Sequence, residues 1–104
     1  MIVKYVYDVV YDTLELLEEG GHTYSMDANK VYKEMTAEHK ITDYKFVLNK
    51  DTLTRTTTIT YASLDAFNEH IERLKKIKDN AIVPGRIVTN QYLIDGNDNI
   101  ITRY

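Results

Sequence analysis

The chain has 104 residues, a formal net charge of -3 and no cysteine. A domain of this length buries roughly two thirds of the surface that its unfolded chain exposes, so we expect residues 1–104 to form a single domain. The absence of cysteine excludes disulfides, thiolate metal sites and cysteine nucleophiles. The weak acidic balance disfavours a nucleic-acid binder, which needs a clustered basic surface.

The sequence shows no targeting segment and no membrane span. Its first apolar stretch is interrupted by Lys4, Asp8 and Asp12, whereas a signal peptide needs an uninterrupted apolar run. No uncharged run approaches the roughly 18 residues that a membrane-spanning helix requires. Together with the missing cysteines, these features predict a soluble, cytoplasmic protein that does not contact a membrane.

The first part of the chain predicts a strand followed by two helices. Residues Ile2–Tyr11 are rich in Val, Ile and Tyr and alternate in the manner of a strand, with the odd-numbered side chains on one face. A short helix follows, for which Asp12 is the expected N-cap. A second helix begins at Ser25 or Asp27 and ends near His39.

The middle of the chain predicts a hairpin and then a helix. Ile41–Leu48 and Leu53–Tyr61 read as strands joined by a polar turn. Ser63 is a suitable N-cap for a helix that runs to about Ile77. In the second strand of this hairpin, four threonines share one face: Thr54, Thr56, Thr58 and Thr60. In the helix, four apolar residues form the expected buried stripe: Leu64, Phe67, Ile71 and Leu74.

The C-terminal part predicts a second hairpin. Arg86–Ile94 and Asn99–Tyr104 read as strands joined around Asp95–Gly96, a strong hairpin signal. The resulting order predicts an α+β, ferredoxin-like βαββαβ fold with an added C-terminal strand. Right-handed crossovers place the helices on one face of an antiparallel sheet.

The stretch Arg55–Leu74, with sequence RTTTITYASLDAFNEHIERL, resembles the third strand and second helix of dimeric α/β-barrel proteins. The resemblance implies a dimer whose two sheets close into a barrel, which in some members of that group encloses a small organic molecule or haem. Some members are cofactor-independent monooxygenases. The stretch also resembles an RNA-recognition motif, but that motif carries aromatic residues where this chain has Thr56, Thr58 and Thr60.

The tyrosines are the main candidates for a binding site. The chain has nine tyrosines, two phenylalanines and no tryptophan. Several converging rings would line a pocket with apolar surface and a few hydroxyl groups, which is the usual composition of a ligand site. The alternative, which the residues alone favour, is that the rings fill a sheet–helix core or a dimer interface. Together with the histidine at the end of the second helix, the ligand-binding candidates are Tyr5, Tyr7, His39, Tyr61 and Tyr92.

No catalytic constellation, metal-ligand spacing or phosphate loop is present in the sequence, so we expect no metal and no cofactor. The absence of catalytic residues favours a non-enzymatic binding or interaction module. We expect the helix-free sheet face to carry threonines and tyrosines, and this mixed polarity favours a homodimer, formed through that face or through the C-terminal hairpin. The alternative is a monooxygenase-like enzyme with a tyrosine-lined pocket for a small aromatic compound. An RNA-binding function ranks last.

Overall fold

The computed structural model describes residues 2–19, 26–76 and 86–103. The described strands form one antiparallel sheet of five in the order β2-β3-β1-β4-β5. This confirms the ferredoxin-like α+β fold with an added C-terminal strand. The elements are β1 (Val3–Tyr11), α1 (Leu14–Glu19), α2 (Met26–Ala37), β2 (Ile41–Asn49), β3 (Thr54–Tyr61), α3 (Leu64–Lys75), β4 (Arg86–Asp95) and β5 (Ile100–Arg103).

The starts of two helices depend on hydroxyl caps. Ser63 Oγ accepts a hydrogen bond from the Ala66 N–H (3.1 Å) and caps α3 as predicted. At α1 the cap is Thr13, whose Oγ1 accepts from the Leu16 N–H (3.1 Å). The prediction that Asp12 caps α1 was therefore wrong by one residue, because the first helical turn begins one position later. The predicted start of α2 at Ser25 and the predicted end of α3 at Ile77 lie outside the described residues.

Both hairpin turns are held by a side chain that imitates a backbone acceptor. Asn49 Oδ1 accepts from the N–H groups of Asp51 (3.0 Å) and Thr52 (3.3 Å). Asp95 Oδ1 accepts from the N–H groups of Asn97 (2.8 Å) and Asn99 (3.0 Å). These backbone donors hold the pKa of the Asp95 carboxyl below its usual value. The turn chemistry predicted for both connections is present.

The three described helices pack on the same face of the sheet. The odd-numbered residues of β1 point to that face, and the register brings Tyr61 and Ile59 of β3 and Leu93 of β4 beside them. The larger buried cluster joins these strands to α2 and α3 through Met35 and Phe67. A second cluster, Val9, Tyr11 and Leu17, joins β1 to α1.

The buried stripe of α3 differs from the prediction. Ala66, Phe67 and His70 are buried, whereas Leu64 is 37% exposed. Ile71 and Leu74 are half-buried. The helix is thus turned so that a histidine replaces a leucine in the core. A histidine can occupy this place because Tyr61 supplies a buried hydrogen-bond partner.

The opposite face of the sheet, here called the open face, carries the four threonines of β3 as predicted. The expectation that it also carries tyrosines holds for Tyr92 and is wrong for the tyrosines of β1 and β3. Tyr5, Tyr7, Tyr11 and Tyr61 share the helix-covered face, because they have the parity of the buried positions. Tyr92 lies on the open face, opposite Val6.

An ion-pair network ties α3 to the end of α2. Arg73 contacts Glu38 (2.8 Å) and Glu69 (3.1 Å), and Lys40 contacts the same two carboxylates at 3.1 and 2.6 Å. Hydrogen bonds from Arg73 and Lys40 lower the pKa of Glu38. The groups are solvent-exposed, so we expect the network to orient the helices more than to stabilise them. Among the described helices, none is long and apolar enough to span a bilayer.

Candidate functional site

A cleft opens between α3 and strands β1 and β4. It is a groove open to solvent and not an enclosed cavity, with a volume of about 490 Å³. Its apolar side is formed by Tyr5, Phe67 and Ile71, and its polar rim is formed by Asn68, Glu72, Lys75 and Gln91. An apolar side that includes two aromatic rings, facing a polar rim, suits an amphipathic ring compound better than a highly charged ligand.

Tyr5 is held in this cleft by neighbours on three elements. Its hydroxyl donates to Gln91 Oε1 (2.7 Å). Its ring lies 5.2 Å from that of Tyr7 and 5.5 Å from that of Phe67, measured between centroids. These contacts come from β1, β4 and α3, so the orientation of Tyr5 is fixed by the sheet and the helix together.

A buried hydrogen bond lies behind the cleft. The Tyr61 hydroxyl and His70 Nδ1 are 2.6 Å apart, and both residues are buried. The ring of Phe67 stands edge-on to that of Tyr61, with centroids 5.4 Å apart. Phe67 therefore forms the layer between the Tyr61–His70 pair and the cleft.

Burial fixes the protonation of this pair. Desolvation lowers the pKa of His70 to about 4, with a smaller contribution from the nearby Arg73 cation. Burial also raises the pKa of the Tyr61 hydroxyl. At neutral pH both groups are uncharged, and the Tyr61 hydroxyl and His70 Nδ1 share one hydrogen bond whose donor is set by the imidazole tautomer. The pair is a stable hydrogen bond between two neutral groups.

The structure brings together three of the five predicted site residues. Tyr5 lines the cleft, Tyr7 stacks beside it, and Tyr61 contacts the other side of Phe67. Tyr92 is separated from them by the sheet, and its ring lies 5.8 Å from the Arg103 guanidinium. His39 is exposed after the end of α2 and has a positive φ of 61°.

Sequence reasoning missed the polar rim of the cleft and the burial of His70. Asn68 and Gln91 carry no motif, and they meet at the cleft only because α3 packs on the sheet. His70 carried a usable signal, since it lies three residues after Phe67 and so shares its helix face. Its polarity kept it out of the predicted buried stripe, because histidine is only intermediate in its tendency to be buried.

Within residues 2–19, 26–76 and 86–103, no three histidine, aspartate or glutamate side chains are grouped so as to hold a metal ion. The titratable groups on the cleft rim are Glu72 and Lys75, whose charged atoms are 3.5 Å apart. The side chains that line the cleft include no serine or histidine. The cleft can therefore bind and orient a compound through shape, ring contacts and hydrogen bonds.

The open face is the second candidate surface. Its central rows alternate polar and apolar side chains, with Val6 between Thr58 and Tyr92, and Val10 between Thr54 and Ile87. Two large apolar side chains near its margins are strongly exposed, Val47 at 69% and Ile87 at 65%. Val47 and Ile87 are separated by β3 and β1, so they border the mixed sheet face from two sides and do not form one contiguous apolar patch.

Comparisons with known proteins establish the fold and no more. No protein-family model and no curated protein sequence matches the chain. Among solved structures it resembles a dimeric ferredoxin-like protein from an uncultured marine organism, with a TM-score of 0.64 and 11% identity over 100% of this chain and 98% of that chain. It also resembles Rv0793 from Mycobacterium tuberculosis, with a TM-score of 0.51 and 13% identity over 95% of this chain and 98% of that one.

Proposed function

We propose that this protein is a non-enzymatic binding module that forms a homodimer through the open face of its sheet and takes a small aromatic compound in the cleft beside α3. The observation that carries the dimer is the open face itself, where Val47 and Ile87 remain mostly exposed in the single chain. The dimeric state of the ferredoxin-like protein from the marine organism supports a dimer.

The size of the open face suits such a dimer. Five strands about 4.8 Å apart and about eight residues long give a footprint of roughly 600 Å² before the relief of the side chains is counted. A standard interface buries about 800 Å² on each partner. The charges on this face are of both signs, so two copies can meet without a large excess of like charge. They are Lys4, Asp8, Asp43, Lys45 and Arg103.

Native mass spectrometry and analytical ultracentrifugation test the dimer. We expect a dimer at tens of micromolar, and we expect Thr58→Arg to shift it to monomer because it places a charge at the centre of the open face. Ala37→Arg is the control, since Ala37 is exposed at the end of α2. A monomeric unmodified protein, or two variants that behave alike, would contradict the proposed interface.

The cleft is tested with a probe of the chemistry that its walls suit. The probe is 1-anilinonaphthalene-8-sulfonate, a fused aromatic ring with one anionic group, and its fluorescence reports entry into apolar surroundings. Asn68→Trp introduces a large ring at the rim and should lower the probe affinity at least fivefold. Asp65→Trp, on an exposed position of the same helix, should leave the affinity unchanged. Equal affinities for both variants would argue against the cleft as the binding site.

A second candidate function, a cofactor-independent monooxygenase acting on a small aromatic compound in the same cleft, is favoured by one observation. The Tyr5 hydroxyl is held at the cleft by Gln91 and could meet a phenolic substrate. Oxygen consumption in the presence of hydroquinones tests this function, and Tyr5→Phe should abolish it. Binding of the same compounds without oxygen consumption would leave the binding module as the function.

A further inference from the structure

β2 is an edge strand with unusually exposed side chains. It is the outermost strand of the described sheet on one side, and its side chains from Thr42 to Val47 are exposed. An edge strand presents a row of backbone N–H and C=O groups that a further strand can pair with. A strand that pairs with β2 must also match the side chains that β2 exposes.

The charges of β2 are arranged symmetrically around one residue. Asp43 and Lys45 flank Tyr44 and form an ion pair of 3.5 Å, with their side chains 48% and 76% exposed. When an antiparallel strand is related to β2 by a two-fold axis through Tyr44, Asp43 of each copy faces Lys45 of the other. A shift of the axis to residue 43 or 45 would instead place two like charges opposite each other, which is destabilising.

We propose that β2 pairs antiparallel with β2 of a second copy of this chain, with Tyr44 on the two-fold axis, and so joins two sheets edge to edge. The complementary Asp43 and Lys45 select the register, and the two Tyr44 rings meet across the axis. Directly opposed aromatic and opposite-charge pairs each contribute to strand pairing. The paired backbone groups lie at the outer edge of β2, whereas the proposed dimer uses the open face, which Asp43 and Lys45 share with Thr60 and Thr58. Both contacts together would give a tetramer.

The aromatic side of β2 is ordered before any pairing occurs. The Tyr44 ring stands edge-on to that of Tyr32 of α2 at 5.2 Å, and the Phe46 ring lies 6.2 Å from it on the other side. The Arg55 guanidinium lies 3.9 Å from the Phe46 ring centroid. Held in this way, Tyr44 loses little side-chain freedom when a second ring packs against it.

Two features limit the strength of the pairing. The register of β2 against β3 is irregular between Ile41 and Asp43, which bends the strand at one end of the paired segment. Asp43 also accepts a hydrogen bond from the Tyr44 backbone N–H (2.9 Å), and must turn away from it to reach Lys45 of the second copy. We therefore expect association at high micromolar concentration, weaker than the open-face dimer.

The absence of cysteine from the sequence allows a single introduced thiol to report the register. Directly opposed antiparallel residues have Cα atoms about 4.5–5.5 Å apart, within the 4.4–6.8 Å range of a disulfide. Under mild oxidation, Tyr44→Cys should give a covalent dimer at least tenfold faster than Phe46→Cys. In the proposed register two copies of residue 46 are offset by about 13 Å along the strands. Equal rates would overturn the proposal.

Charge variants in the Tyr44→Cys background test the selection of register. Lys45→Asp should slow cross-linking several-fold, and the double variant Asp43→Lys with Lys45→Asp should restore it, because the opposite charges again face each other. Failure of the double variant to recover the rate would overturn the pairing. Should Tyr44→Cys not fold, concentration-dependent amide shifts of β2 in the unmodified chain report the same contact, and unchanged shifts up to millimolar concentration would refute it.

Discussion

The two faces of the sheet differ in how they satisfy their polar groups. On the helix-covered face a tyrosine hydroxyl and an imidazole meet at 2.6 Å with both residues buried. On the open face Asp8 accepts hydrogen bonds from Thr56 Oγ1 (2.6 Å) and Asn90 Nδ2 (2.9 Å), and all of these groups remain at least partly accessible to water. The buried tyrosine and histidine need each other as hydrogen-bond partners, because water cannot take the place of either one.

This difference explains where the tyrosines lie. A buried tyrosine is tolerated when its hydroxyl has a partner at the edge of the core, and Tyr61 and Tyr5 have His70 and Gln91. The threonines of the open face need no such partner. The helix-covered face should therefore respond to mutation and pH through folding, whereas the open face should respond through association.

The largest effect is expected for Phe67→Ala. Phe67 is 3% exposed and its ring contacts those of Tyr5 and Tyr61. Removing it leaves a cavity in the core, so we expect the free energy of unfolding to fall by about 3–5 kcal/mol. Urea denaturation measures this change. Phe46→Ala, at a position that is 48% exposed, should cost less than about 1.5 kcal/mol, and a similar loss for both would refute the assignment of the core.

The next largest effect expected is a pH dependence of the folding stability, caused by the titration of His70. Its pKa is about 4 in the folded protein, below the usual value of 6.5 that it regains on unfolding. The unfolded chain therefore binds a proton first as the pH falls, so stability is full above pH 6.5 and is lost between pH 6.5 and 4. The expected loss from this group is about 3 kcal/mol.

Urea titrations at several pH values check this dependence. His70→Asn supplies an acceptor near the position of Nδ1 without a titrating group, so its stability should fall less steeply over the same pH interval. Carboxylates titrate in both proteins and cancel in the comparison. An unchanged slope in His70→Asn would mean that another group causes the acid loss.

Much of the fold could be predicted from local patterns, because the alternation within a strand, the helix cap at Ser63 and the two polar turns each involve only a few residues. The faces of β1 and β3 were also assigned correctly, since parity alone fixes which side chains share a face. The position of the tyrosines relative to the helices was not predicted correctly, because composition does not say which face of the sheet the helices cover. The cleft depends on Gln91 meeting Tyr5, which are 86 positions apart in sequence, so no local pattern could reveal it.

A smaller loss is expected for Tyr61→Phe. The substitution keeps the ring packing and removes the hydroxyl that is hydrogen-bonded to His70 Nδ1. It leaves a buried ring nitrogen without its partner, so the free energy of unfolding should fall by about 1–3 kcal/mol. Tyr5→Phe is the matched change on the same face at a half-buried position, and it should cost about 1 kcal/mol or less. A larger loss for Tyr5→Phe would reverse the proposed ranking of the two tyrosines.

The smallest effect is expected on the open face, for Thr56→Val. The variant keeps the β-branched shape and removes one donor to Asp8, which retains Asn90 and access to water. Because water can replace the lost donor, the expected cost is about 0.5–1 kcal/mol when urea denaturation is measured at a concentration low enough for the monomer. Thr54→Val, on the same face of the same strand, removes only a local bond to the Thr52 carbonyl and should cost less. A loss as large as that of Tyr61→Phe would mean that Asp8 is shielded from water in the single chain, and the open face would then resemble the helix-covered one.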